Sequence, residues 1–102
     1  DWKQIAALYS LLKAGQPSAI VCLNHAVAVA MSESLERGLA LIDDLGASGE
    51  LDSYHLYHAA RADLFRRMGR NREALESYRR GLTLTNNTVE LRYLRRRISE
   101  LG

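Results

Sequence analysis

A chain of 102 residues that is 47% hydrophobic and 25% charged suits one small globular domain and excludes intrinsic disorder. Its single cysteine excludes an internal disulfide framework and fits a reducing compartment; its single proline favours long helices. No apolar run is long enough to span a bilayer, and no charged-then-apolar signal segment opens the chain.

The chain starts at Asp1, directly inside a helical pattern, which reads as a fragment of something longer. The first predicted helix covers about 2–14, with Asp1 as N-cap. Trp2, Ile5, Leu8, Tyr9 and Leu12 recur along it at helical spacing. Gly15 ends it, and Pro17 suits the first turn of the next helix.

The second helix is expected over 18–31. Its segment AIVCLNHAVAVA is apolar almost all round, so it should lie buried between neighbours, with Asn24 and His25 as its strongly polar members. The third covers 35–45, after Ser32 or Ser34 as cap, with a stripe of Leu35, Leu39, Ile42 and Leu45. Asp43 and Asp44 oppose the dipole at its C-terminal end and should be exposed. GASGELD, residues 46–52, is a loop by composition.

The fourth helix is predicted over 53–68, capped by Asp52 or Ser53, and the fifth over 72–85. Gly69 supplies the permissive backbone of the tight turn between them. The sixth covers 88–101, with Asn87 as cap and Glu90 three residues on. Leu91, Leu94, Ile98 and Leu101 give it a single apolar stripe, and Arg92, Arg95 and Arg96 lie off that stripe. A helix with one apolar side suits the end of a helical stack.

An offset of 36 residues pairs Cys22 with His58, Ala26 with Ala62 and Val29 with Phe65. It also pairs Gly38 with Ala74, Leu39 with Leu75, Ile42 with Tyr78 and Leu45 with Gly81. This pattern resembles the tetratricopeptide repeat, a helix–turn–helix unit of about 34 residues that must stack on a neighbour to bury its face. The expected fold is therefore all-α: about six helices in a right-handed α-α superhelix of tetratricopeptide-like hairpins, forming one domain over 1–102. The repeats are degenerate. Cys22 and His58 stand where a large aromatic is usual, and Glu50 and Asn86 where proline is usual, so a generic helical bundle is the alternative.

Charge is unevenly spread. Residues 1–52 carry three basic side chains against seven acids; residues 53–102 carry eleven arginines against five acids. An arginine-rich half suits a carboxylate-rich protein face or nucleic acid, and it also suits a solvated helical face. Arg92, Arg95 and Arg96 are the candidate basic patch. Three consecutive arginines, Arg95 to Arg97, spread over about 200° of a helix, and no aromatics interleave them to stack bases. First helices line the concave face of such a stack. The candidate protein-interaction groove is Asn24, Val27, Met31, Leu56, Asp63, Arg66 and Arg67. A carboxylate-clamping groove would need further polar groups where Val27 and Ala59 stand.

Catalytic signals are absent: no glycine-rich phosphate loop, nucleophile elbow or HExxH occurs. His55 with His58, and Cys22 with His25, are spaced three apart and face one side of a helix each, but no dense four-ligand pattern exists. They read as packing and groove residues. Asp63 with Arg66 or Arg67, and Glu73 or Glu76 with Arg80, read as helix-surface ion pairs. No catalytic residue, metal or cofactor is expected.

Taken together, DWKQIAALYSLL, LNHAVAVA, GLALIDDL, YHLYHAARADLFRRMGR, EALESYRRGL and ELRYLRRRISEL resemble the C-terminal extension of one group of bacterial extracytoplasmic-function sigma factors. The resemblance covers essentially the whole chain. It implies a tetratricopeptide-like domain that follows two promoter-binding sigma regions, here absent, which bind DNA and polymerase. It implies a cytoplasmic, non-catalytic role in transcription initiation through protein contacts. The implied partners are its own sigma regions, RNA polymerase core, or a small YCII-related protein. A stand-alone peptide-binding scaffold and an arginine-rich nucleic-acid module are the other two readings.

Overall fold

In a computed structural model, which describes residues 1–15 and 18–102, the chain forms six helices: α1 (Trp2–Gly15), α2 (Ala19–Ser32), α3 (Leu35–Gly46), α4 (His55–Arg67), α5 (Asn71–Leu82) and α6 (Thr88–Leu101). The described residues are all-helical apart from turns, as the periodicity requires. Residues 1–51 form one unit, in which α2 packs against α1 and α3; residues 52–102 form a second, in which α5 packs against α4 and α6. Each unit is a helical hairpin plus one flanking helix. The acidic and basic parts of the sequence divide at almost the same place.

Local chemistry explains most boundaries. Ser18 caps α2 by accepting from Val21 N at 3.1 Å, and Ser34 caps α3 by accepting from Arg37 N at 3.0 Å. Asn87 does the same for Glu90 N at 3.0 Å. Asp1 accepts from Lys3 N at 3.0 Å at the start of α1. The expectation for Pro17 lies outside the described residues. Gly69, at φ +79°, takes the left-handed conformation between α4 and α5; Arg70 N then reaches back to Phe65 O at 2.8 Å and Gly69 N to Arg66 O at 3.0 Å.

Two ends differ from the sequence reading. α4 begins at His55 rather than Ser53, and its cap residue, Tyr54, makes no side-chain capping bond. Asp52 and Ser53 lie in the preceding turn, where the Asp52 carbonyl makes a 2.7 Å hydrogen bond with His58 Nε2. α5 stops at Leu82, three residues early. There the Thr83 hydroxyl donates to Arg80 O at 2.7 Å, and Leu84 N closes a tighter turn on Gly81 O.

The core follows the repeat. Ala26 and Ala62 are fully buried, as are Ile42 and Tyr78; Val29 and Phe65 are nearly so. Gly38 and Ala74 are both buried, and Cys22 and His58 are both half-buried. Four of these five pairs differ in residue type, yet depth is kept at each of them. Gly38 has a specific reason to be glycine. A Cβ built on it would sit 2.2 Å from Ala30 Cβ and 2.9 Å from the Ala26 carbonyl, so α2 and α3 meet there backbone to backbone. At Gly81 the nearest contact would be an ordinary 3.5 Å, to His55 O.

α2 buries Leu23, Ala26, Ala28, Val29 and Ala30, as its all-round apolarity predicts. α1 behaves differently. It buries no residue, and Trp2, Ile5, Leu8 and Leu12 stay exposed while Ala6, Tyr9 and Lys13 are half-covered. Leu51, in the turn after α3, is buried although its loop is otherwise polar.

Candidate functional site

Asn24, Val27 and Met31 follow one another along a single face of α2: Asn24 is exposed, and Val27 and Met31 are half-buried. On α4, Leu56, Asp63, Arg66 and Arg67 share one side of the helix; Leu56 and Arg67 are exposed, Asp63 and Arg66 half-buried. These two sets belong to different units. Each presents a mixed surface, apolar at one end and polar at the other. Ala59 is buried, so it offers nothing to a ligand on α4.

Asp63 is engaged within its own unit. Its Oδ1 accepts the hydroxyls of both Tyr78 on α5 and Tyr93 on α6, the latter at 2.8 Å. Arg66 Nε donates to the Tyr78 oxygen at 3.1 Å, and Arg66 Nη2 lies 4.0 Å from the carboxylate. One carboxylate thus ties three helices together. Burial, then the bond to Asp63, pushes the Tyr78 hydroxyl above its ordinary pKa. The hydrogen bond that Arg66 donates to Tyr78 holds its guanidinium above its ordinary pKa. Tyr93 is the member that sequence reading missed. Its spacing on α6 sets it beside the apolar stripe, but no local signal names a partner thirty residues away.

The arginines of the second unit divide into two classes. Arg61 and Arg70 stack over Phe65, with guanidinium carbons 4.6 and 4.7 Å from the ring centre. Arg70 also binds Glu73, at 2.7 Å through Nε, so Glu73 pairs backwards across the turn and not with Arg80. Arg97 lies 5.4 Å over Tyr93 and donates to Glu100 at 3.0 Å; its Nε is buried without a partner. Arg92, Arg95 and Arg96 are exposed and make no ion pair among the described residues, although Arg96 lies 6.0 Å over the Tyr93 ring. Of the three consecutive arginines, one turns inward.

Arg92 and Arg96 flank Val89, which is 72% exposed, and together with Tyr93 these residues line a shallow cleft of about 360 Å³ along α6. Its walls combine two cationic heads with an apolar floor. The histidines have separate partners. His55 Nε2 lies 3.9 Å from Glu90, while His58 bonds Asp52 O. Among the described residues, no group of three His, Cys, Asp or Glu side chains is placed to hold a metal ion. None of their helices is long and apolar enough to cross a membrane.

The chain is similar to an uncharacterized protein of Rhizobium meliloti (strain 1021), with 39% identity over all 102 residues. It spans 24% of that protein's length. No family model and no solved structure matches.

Proposed function

We propose that the chain is a non-catalytic protein-interaction and regulatory domain of a bacterial sigma factor, acting on transcription initiation in the cytoplasm. The observation that carries the interaction reading is the pair of equivalent helical hairpins, which leave exposed faces on α2, α4 and α6. The step to a sigma factor rests on the resemblance described above, whose phrases run through all six helices. A relative four times longer is consistent with a module that works inside a larger protein. The partner is a protein: the parent's own sigma regions, RNA polymerase core, or a small YCII-related protein. The test is direct binding of residues 1–102 to each of these three in purified form. Saturable binding to one of them is expected, weakened when Arg92 and Arg96 are changed to Glu or when Arg67 is changed to Glu. Failure to bind all three removes the reading.

A second reading follows from one observation, the exposed Arg92, Arg95 and Arg96 on α6, which make no ion pair among the described residues. An arginine face of this kind would bind nucleic acid through phosphates, with affinity falling steeply as salt rises. The apolar floor at Val89 favours a protein surface instead. Titration of duplex and single-stranded DNA and of RNA at low salt separates the two readings.

A further inference from the structure

In the first unit, three helices line an open cleft that the interaction surfaces do not use. Lys13 from the last turn of α1, Cys22 and His25 from α2, and Leu41, Asp44 and Leu45 from α3 line about 190 Å³. At roughly 30 Å³ per liquid water this is room for about six waters, the scale of a small metabolite and too small for a nucleotide.

The wall is incompletely satisfied. His25 Nδ1 is buried and has no hydrogen-bond partner, whereas such atoms are normally bonded to protein, water or ligand. Lys13 is half-buried and Asp44 exposed, and neither makes an ion pair among the described residues. Desolvation and the nearby Lys13 ammonium lower the His25 pKa; Arg37 acts in the same direction and Glu33 against it. The ring is therefore neutral near pH 7, with one N–H and one lone pair, and it repels neither sign of charge. Leu41 and Leu45 add an apolar surface.

These features fit one chemistry. A simple anion would meet Lys13 but also Asp44. A simple cation would meet Asp44 but also Lys13. Among the described residues, no three His, Cys, Asp or Glu side chains are placed to hold a metal ion. A zwitterion matches both charges at once. We propose that this cleft binds a free α-amino acid with an apolar side chain: its carboxylate on the Lys13 ammonium and the His25 ring, its ammonium toward Asp44, its side chain on Leu41 and Leu45. Such a site would give an interaction domain a small-molecule input, and it stands whether or not the sigma-factor reading does.

The experiment uses three matched probes on the unaltered chain: L-leucine, 4-methylpentanoate, which lacks the ammonium, and 3-methylbutylamine, which lacks the carboxylate. Binding is read from the His25 ring resonances by NMR. Leucine should move them saturably, and each truncated probe should bind at least tenfold more weakly. Lys13→Met should weaken leucine by tenfold or more while sparing 3-methylbutylamine. Asp44→Asn should weaken leucine while sparing 4-methylpentanoate. No movement of the His25 resonances up to the solubility limit of leucine overturns the proposal and leaves the cleft filled by water. Equal affinity for leucine and either truncated probe overturns it as well, because one of the two charges would then be idle. The comparison of probes needs no variant, so it stands even if a variant unfolds.

Discussion

Tyr93 on α6 donates its hydroxyl to Asp63 on α4 at 2.8 Å, across thirty residues of chain. The same oxygen accepts from Tyr78 on α5, so the last three helices share one acceptor. Asp63→Ala would leave the fully buried Tyr78 hydroxyl without that partner. A buried group stripped of its hydrogen bond costs about 1–3 kcal/mol, and the charged acceptor puts this case toward the upper end. Tyr93→Phe, which removes only one donor at a half-buried site, should cost about 1 kcal/mol. Urea unfolding of both single variants and the double variant measures the coupling. Costs that simply add would show that Tyr93 and Asp63 do not interact.

Alkaline pH should destabilise the second unit through Tyr78. Its pKa is raised in the folded state, chiefly by burial and then by the Asp63 bond. The folded chain therefore holds that proton more tightly than the unfolded chain does. Stability from this source is complete below the ordinary tyrosine pKa, about 10, and is lost as pH rises beyond it. Denaturant midpoints measured through that range should fall, and Tyr78→Phe should flatten the fall, whatever it does to stability at neutral pH.

The acid limb has the opposite sign. The His25 pKa is lowered, first by desolvation and then by Lys13, so the folded chain holds this proton less tightly than the unfolded one. Stability from His25 is complete above the ordinary histidine pKa, about 6.5, and declines as pH falls through the lowered value. Replacing Lys13 with Met removes one lowering charge, so an NMR titration should show the His25 pKa moving up. A downward or absent movement would mean that the two groups are not coupled.

Glycines in the two hairpins should respond with opposite sign. Gly38→Ala forces a Cβ to 2.2 Å from Ala30 and should cost about 1–3 kcal/mol as overpacking. Gly81→Ala meets nothing closer than 3.5 Å and sits inside α5, so it should be neutral or stabilise by up to about 1 kcal/mol. Thermal unfolding of the two variants side by side makes the comparison. Equal effects would place α2 and α3 farther apart than described here.

Much of this architecture was legible in the residues. Alternating small and large positions at an offset of 36 point to both hairpins, because equivalent positions are buried alike, small at Ala26 and Ala62 and large at Ile42 and Tyr78. Caps at Ser34 and Asn87 were readable because a short polar side chain three residues before a free N–H has few other uses there. Less was legible where a distant group decides. Asp63 and Arg66 looked like groove residues or a surface pair from helical spacing alone, yet Tyr78 and Tyr93 engage them from other helices. The end of α5 was misplaced because a threonine hydroxyl competes with the helix at Thr83. Periodicity marks the apolar stripe of α1 but does not say what covers it, and the described residues leave most of it exposed.

The surface arginines should matter for partners and not for folding. Arg92, Arg95 and Arg96 are exposed and make no ion pair among the described residues, so changing all three to Gln should alter stability by only about 0.5 kcal/mol per site. The same variant should lose affinity for an acidic protein partner, and the loss should shrink at high salt. Unchanged partner binding at low salt would clear α6 of any role in recognition.

Promoter-dependent transcription in a reconstituted system decides whether these 102 residues act, as proposed, on transcription initiation from within a longer sigma factor. The longer protein is compared with the same protein lacking this segment, at equal concentrations of polymerase core and template. A clear change in transcript yield is expected on deletion, with the Arg92→Glu, Arg96→Glu double variant moving in the same direction. Identical yields from the intact and deleted proteins would contradict it.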